Sequence, residues 1–351
     1  MKGSVYMRWA KDHAAARYNL ANSGILGVET IDLEPGDILV NGPNRDGYRP
    51  LQEAIGKRYG VAPEQVVQSE GTSGANFLAF AALLEPGDEV LVEQPTYEPL
   101  LAALSFVGAK IRRFDRRFED GYRLDLDGLK KAMSDKVRMV VITNPHNPSG
   151  VFLPEEEMAE AVRIAESAHV LVDEVYQDIV TSESHVHLGP NVLTTSSLTK
   201  CYGLNGLRCG WVLCAPDVAR RLCHAKDFMG SVGSIASDGL AVAAFRQIER
   251  LEARTKEILD PNVQMIHEFL REHEDLLDCV VPPRAMKVFP RLRKEKDSER
   301  LHDRLRQLET SIVPGKFFEN PRHFRLGFAV LPADVEEGLR RLSQTLRAPA
   351  S

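Results

Sequence analysis

VRMVVITNPHNPSG, residues 137–150, joins a strand-length apolar run to a loop with two Asn-Pro pairs. Val137 to Thr143 reads as a strand, and the loop begins directly after it. Two prolines lock the backbone, so Asn147 would be presented from a stiff loop at a strand's carboxyl end. In open α/β sheets that edge is where ligands bind. A plain Asn-Pro turn has the same local pattern, so the surroundings have to decide.

Working outward, short apolar runs alternate with amphipathic stretches from about Val66 to Cys214. Val66-Val67, Glu89 to Glu93, Lys110-Ile111, His169 to Asp173 and Trp211 to Cys214 read as further strands. Ala75 to Leu84 and Pro154 to Ala168 read as helices between them. Pro86-Gly87-Asp88 is a helix-to-strand turn by composition. This rhythm predicts an α/β fold, a mostly parallel sheet covered by helices on both faces. After Ala215 the texture changes. Pro216 to Phe228 and Leu240 to Leu259 are helical in period, as are Asp297 to Leu308 and Pro332 to Leu346. Strand-like pieces lie around Val280 to Leu292 and Phe324 to Val330. The division predicted is a large domain over 41–250 and a smaller α+β domain built from 1–40 and 251–351.

Composition excludes several classes. The 351 residues are 43% hydrophobic and 27% charged, which is enough apolar surface to bury a core. Lys and Arg number 44 against 50 Asp and Glu, a formal net charge of -6. A nucleic-acid partner needs a basic face and an anionic membrane a polybasic segment, so neither is expected. The first twenty residues scatter Arg and Lys and lack a long apolar run, so a cytoplasmic protein without a leader is expected. Five cysteines (Cys201, Cys209, Cys214, Cys223 and Cys279) without short paired spacings argue against a disulfide framework and a metal site.

Three more segments carry chemistry. GTSG, Gly71 to Gly74, precedes a helical run, and backbone N–H groups and hydroxyls at a helix start can hold a phosphate; a capped glycine turn looks the same. VDEVY, Val172 to Tyr176, puts Asp173 at a strand end. It either caps the next helix or, if buried, needs a partner such as a protonated ring nitrogen. SSLTKCYGLNGLRCGW, Ser196 to Trp211, sets Lys200 among hydroxyls and glycines, with Arg208 eight residues on. A lysine that attacks a carbonyl must be neutral, and a nearby arginine with partial desolvation would favour that form. Hydropathy does not separate this reading from a surface lysine.

In this order and spacing the segments resemble the fold-type-I, class I/II aminotransferases, enzymes similar to aspartate aminotransferase that depend on pyridoxal 5'-phosphate. The resemblance runs from about Gly47 to Ala329. It implies a seven-stranded, mostly parallel sheet between helices, with a smaller α+β domain. It implies that Lys200 forms a Schiff base with the cofactor aldehyde, that Asp173 pairs with the pyridinium nitrogen, and that Asn147 and Tyr176 hydrogen-bond the phenolic oxygen. Ser73, Gly74, Ser197 and Arg208 would hold the phosphate, and Tyr97 would stack on the ring. Arg325 would clamp the substrate carboxylate, with Asn147 beside it and Gly24 on an N-terminal substrate loop. The implied activity moves an amino group between an L-amino acid and a 2-oxo acid. A lyase, decarboxylase or cyclase on the same fold is the alternative. A homodimer with active sites at its interface is also implied.

The chain departs from the family pattern in places. Gln52 replaces the usual arginine after the Gly47 segment. Position 42 is Gly where relatives place a tyrosine that reaches the partner subunit, and Asn41 and Asn44 flank it. Thr199 replaces a serine before the lysine. PPRAMKVFPRL, Pro282 to Leu292, replaces a glycine-rich strand segment. Arg17, Arg45 and Arg284 are candidates for a second substrate carboxylate. A nicotinamide dehydrogenase is not expected, since no G-x-G-x-x-G follows a strand.

Overall fold

Successive residues of the central strands face two different cores. Val90, Val92, Met139, Val141 and Leu171 pack in one cluster, and Leu91, Val140, Ile142, Val170 and Val172 in another. Side chains alternate across a strand, so a run that is apolar at every position must be covered on both faces. That is why the sheet lies in the middle of the molecule.

The computed structural model describes residues 3–29, 32–34 and 36–348. Residues 1, 2, 30, 31, 35 and 349–351, which the expected small domain includes, lie outside the described residues. Seven strands form the large sheet: Val66–Glu70 (β1), Glu89–Gln94 (β2), Lys110–Asp115 (β3), Val137–Thr143 (β4), His169–Asp173 (β5), Val192–Ser197 (β6) and Cys209–Leu213 (β7). Their order is β1-β7-β6-β5-β4-β2-β3. All neighbours are parallel except at β7, which runs against both β1 and β6.

The helices are Val5–Asp12 (α1), Arg49–Tyr59 (α2), Gly71–Leu83 (α3), Glu98–Val107 (α4), Leu126–Ala132 (α5), Glu155–Ala165 (α6), Pro216–Lys226 (α7), Ile235–Arg246 (α8), Ile248–Glu272 (α9), Ser298–Arg306 (α10) and Pro332–Arg347 (α11). Helices α3, α4 and α7 cover one face of the sheet, and α5 and α6 the other. Local chemistry sets many of their ends. Pro50 and Pro99 sit in first turns, and Gly60 and Gly108 close α2 and α4 in the left-handed conformation. Three glutamates, Glu155 to Glu157, open α6 where the helix dipole favours negative charge.

Beyond the large sheet, Lys287–Val288 (β8), Val313–Pro314 (β9) and Phe324–Gly327 (β10) form an antiparallel set in the order β8-β10-β9. The N-terminal segment is sewn to this set. Gly327 N–H donates to Leu20 O and Leu26 N–H to Ala329 O, both at 2.7 Å.

The structure amends three expectations. Strand β6 was not among the strands read from the sequence, because four of the six residues of VLTTSS carry hydroxyls, yet all six are buried. GTSG does not precede its helix but forms the first turn of it, since α3 begins at Gly71. The helical period at Leu240 to Leu259 belongs to two helices that break at Gln247, and the second runs on past Pro261 to Glu272.

One buried pair ties the sheet edge together. Glu93 on β2 and Arg116, just past β3, are 2.9 Å apart and wholly enclosed. Glu93 also accepts from Thr143 N–H at 2.7 Å and Thr143 Oγ1 at 2.6 Å. The Thr143 hydroxyl oxygen in turn accepts Asn147 N–H at 3.1 Å. Removing one partner of a buried pair strands the other's charge. Glu93→Gln is therefore expected to lower the unfolding free energy by about 3 kcal/mol. This would be read as a lower urea midpoint at unchanged slope.

Candidate active site

A cavity of about 170 Å³ opens at the carboxyl ends of β4, β5 and β6, against the first turn of α3. Eight of the residues singled out in the sequence line it: Ser73, Tyr97, Asn147, Asp173, Tyr176, Ser197, Lys200 and Arg208.

Asp173 ends β5 and is buried. One carboxylate oxygen accepts from Asn76 Nδ2 at 2.8 Å and the other from Val175 N–H at 3.1 Å. Asn76 is itself fixed, because its Oδ1 accepts from Thr195 Oγ1 at 2.7 Å. No ion pair to Asp173 is found among the described residues. Burial pushes its pKa up to about 6, against the pull of those two hydrogen bonds. A buried carboxylate held by neutral donors favours a cation beside it, and a protonated ring nitrogen is one.

Lys200 lies just past β6, and its Nζ donates to Ser23 Oγ at 2.7 Å. Burial, and then the positive charge of Arg325, push its pKa down to about 8. Gly24 does not line the cavity but packs on this lysine. A Cβ there would lie 2.8 Å from Lys200 Cδ and 3.1 Å from its Cα. Ser23 was read only as part of the loosely matching segment Asn22-Ser23-Gly24, without a role, and Asn76 was missed in the sequence. Their partners are 177 and 97 residues away, and neither sits in a motif that names its role.

The end of the cavity where the sequence leads one to expect a phosphate is built from the first turn of α3 and the connection from β6 to β7. Thr72 Oγ1 donates to Ser197 Oγ at 2.9 Å. The Arg208 guanidinium lies over Gly71, whose φ is +71°. A Cβ on Gly71 would come within 2.7 Å of Arg208 Nη2, so the space over this backbone is already used. Gly74, by contrast, faces a neighbouring cavity of about 420 Å³ on the other side of α3's first turn.

Arg325 on β10 is wholly buried. Its Nη1 donates to Asn147 Oδ1 at 3.1 Å, and its Nη2 to Tyr6 Oη at 2.8 Å and Ala21 O at 3.1 Å. Its Nε has no partner among the described residues. Tyr97 precedes α4, and its ring meets Tyr6 edge-on at 5.5 Å. The N-terminal helix thus supplies part of the wall, which the sequence reading did not anticipate.

Other candidates fall elsewhere. Arg17 and Arg284 sit in surface ion pairs with Asp334 and Asp260, and Arg45 is exposed. Asn44 turns inward and donates to Gly233 O, while Asn41 is exposed. His146 is buried between Ser149 Oγ and Pro95 O, and burial keeps it neutral by pushing its pKa well down. Cys201 donates to Val175 O, and burial pushes its thiol up, away from the reactive thiolate. Among the described residues no cluster of three or more potential ligands could hold a metal.

Comparison with known proteins places this geometry. The family model for aminotransferase class I and II matches residues 29–342. Capreomycidine synthase of Streptomyces vinaceus is 33% identical over 316 residues, 87% of this chain and 80% of that protein. An aspartate aminotransferase of Streptomyces avermitilis is 28% identical over 82% of this chain and 76% of its own. A pyridoxal-phosphate-dependent aminotransferase of Streptococcus suis superposes with a TM-score of 0.89 at 28% identity, covering 97% of this chain and 96% of that one. The chain belongs to the class I and II aminotransferases, with the fold-type-I architecture expected and pyridoxal phosphate as cofactor.

The residues present fit that group. Asp173 lacks a cation, the phosphate end offers hydroxyls, helix N–H groups and a guanidinium, and Lys200 supplies an amine of lowered pKa. Asn76→Ala removes the donor to Asp173 and is expected to weaken cofactor binding about tenfold, since a hydrogen bond to a charged group is worth roughly 1.5–3 kcal/mol. Titration of the cofactor-free chain with pyridoxal phosphate, followed by fluorescence quenching, measures it.

Proposed function

We propose that the described cavity carries out amino-group transfer from an L-amino acid to a 2-oxo acid, with Lys200 as the acid–base group. The observation that carries this is the meeting of Lys200 Nζ and the uncompensated Asp173 carboxylate in one cavity. Bound pyridoxal phosphate supplies a protonated ring that withdraws the electron pair left on the donor's Cα. Asp173 keeps that ring nitrogen protonated. Asn147 and Tyr176 hold the phenolic oxygen, and Tyr97 covers the ring. Ser73 and Ser197, with Arg208, anchor the phosphate.

Arg325 binds the donor's α-carboxylate through its fork, with Asn147 bridging carboxylate clamp and ring. This fixes the orientation of the Cα–H bond. The neutral Nζ of Lys200 then takes the Cα proton and would deliver it to the aldehyde-derived carbon of the bound cofactor, so that water can release the 2-oxo acid. Ser23 holds Nζ in place, and Gly24 leaves room for the lysine stem.

Further expectations belong to the same reading. The division into a large domain over 41–250 and a small one over 1–40 and 251–351 fits the two sets of strands. A homodimer is supported by exposed Val40, Phe228, Met229 and Val232. A cytoplasmic location accords with the absence, among the described residues, of a helix long and apolar enough to cross a membrane. A second reading, a lyase or cyclase on the same fold, is favoured by the 33% identity to a capreomycidine synthase. Single amino acids without an oxo acid separate the two. Continuous release of oxo acid and ammonia marks a lyase, a ring product marks a cyclase, and one stoichiometric half-reaction marks transamination.

Lys200→Ala is expected to abolish turnover and the visible absorbance of the loaded enzyme. Retention of wild-type turnover would overturn the assignment. The pH dependence of loading follows from the lysine's lowered pKa. Attack on an aldehyde needs the neutral amine, which is scarce below the pKa and complete above it. The rate of loading with pyridoxal phosphate is expected to rise with pH and level off above about 8, followed by stopped-flow absorbance.

A further inference from the structure

The segment that replaces the family's glycine-rich strand holds a second lysine in the interior. Lys287 on β8 is 1% exposed. Its Nζ lies 2.9 Å from the centroid of the Tyr176 ring. Strand pairing sets it opposite Gly327, two residues from Arg325, so Lys287 and Arg325 project from the same face of the β8–β10 pair. Gly327 has no side chain to separate them. The backbone here is clamped as well. A Cβ on Gly150, at the end of the NPHNPSG loop, would run into Lys287 O, so Lys287 and Asn147 are carried by segments in direct backbone contact.

The charged and titratable groups facing Lys287 come from every neighbouring element. Arg325 stands on β10, Lys200 and Cys201 on the connection after β6, Asp173 and Tyr176 at the end of β5, and His146 in the NPHNPSG loop. Asp173 is the single carboxylate in that set, and Asn76 and Val175 N–H already occupy it. A dry lysine between two cations, with no carboxylate of its own, is more stable as the free amine. An amine can still point N–H bonds at the electron-rich face of a phenol.

We propose that Lys287 is a positioning residue that acts through Tyr176, laid on its ring as an uncharged amine at neutral pH. Its position holds the phenol toward the cavity. Its lack of charge leaves Arg325 as the cation for the substrate carboxylate on this sheet face and spares Lys200 a third positive neighbour beside Arg325 and Arg208. Burial, Arg325 and Lys200 all push the Lys287 pKa well below the usual lysine range, in the direction the geometry requires. This inference rests on the proposed function for the roles of Tyr176 and Arg325, while the charge of Lys287 can be measured independently.

The test uses the enzyme loaded with pyridoxal phosphate, as wild type, K287M and K287R. The first readout is the pH midpoint of the visible band, which reports a proton on the Lys200 nitrogen. K287M is expected to leave it unchanged, because an uncharged group replaces an uncharged group. K287R is expected to lower it by about one pH unit, since a fixed cation disfavours a second one nearby. A midpoint raised in K287M, or the same in all three, overturns the proposal. The second readout needs no folded variant beyond assignment. In wild type labelled with 13C at the lysine ε-carbons, the resonance absent from K287R should stand at the free-amine position at neutral pH. An ammonium position there overturns the proposal. A wild type that forms no visible band with pyridoxal phosphate would count against the proposed function, and the carbon resonance would still report on Lys287.

Discussion

The uncompensated charge of Asp173 is the constraint around which the site is arranged. A carboxylate at the end of an inner strand is removed from water, and its two hydrogen bonds come from neutral donors. Burial raises its pKa to about 6, so near neutrality the carboxylate is still mostly ionised, and its charge is held at a cost in free energy. That cost is accepted on folding because the fold buries so much else. Thr195, Asn76 and Val175 form the fixed cradle, and the cation is left for the cofactor to bring. In the proposed function the protonated ring nitrogen of pyridoxal phosphate meets that demand.

The parallel sheet explains why the demand arises where it does. Strands β4, β5 and β6 run side by side in the same direction, so Thr143, Asp173 and Ser197 end at one edge. Three segments far apart in sequence thereby reach one cavity. The N-terminal stretch completes it from the opposite side. Leu20 and Leu26 pair with the β10 segment, which brings Ser23 to Lys200 and Tyr6 to Arg325. Proton chemistry and carboxylate binding are therefore held by the same backbone stitches.

The legible parts of the sequence were those whose chemistry is local. Prolines around Asn147, an acid at the end of an apolar run, and a lysine among hydroxyls each marked themselves, and their common cavity followed. Strand β6 was hidden because its hydroxyl residues bond partners on neighbouring segments, Thr194 with Ser184, Thr195 with Asn76 and Ser197 with Thr72, so burial needs no apolar pattern. The roles of Ser23, Asn76 and Tyr6 were hidden for a different reason. Each acts through a partner brought close only by the tertiary fold. Lys287 was visible as part of a departure from the family pattern, but its meaning depended on the strand pairing with β10.

The reversed direction of β7 has a mechanical consequence. A parallel neighbour for β6 would have required a crossover through a helix before the chain came back. Because β7 returns antiparallel, the chain leaves the rim at Ser197 and re-enters it at Arg208 by a short connection, residues 198–208. The amine of Lys200 and the guanidinium of Arg208 are thus mounted on one short connection, pinned at both ends into the sheet. Their spacing is set by covalent chain length rather than by the packing of separate bodies. Arg325 stands on a different sheet, so a shift of β10 can tilt its guanidinium without changing the length of chain between Lys200 and Arg208.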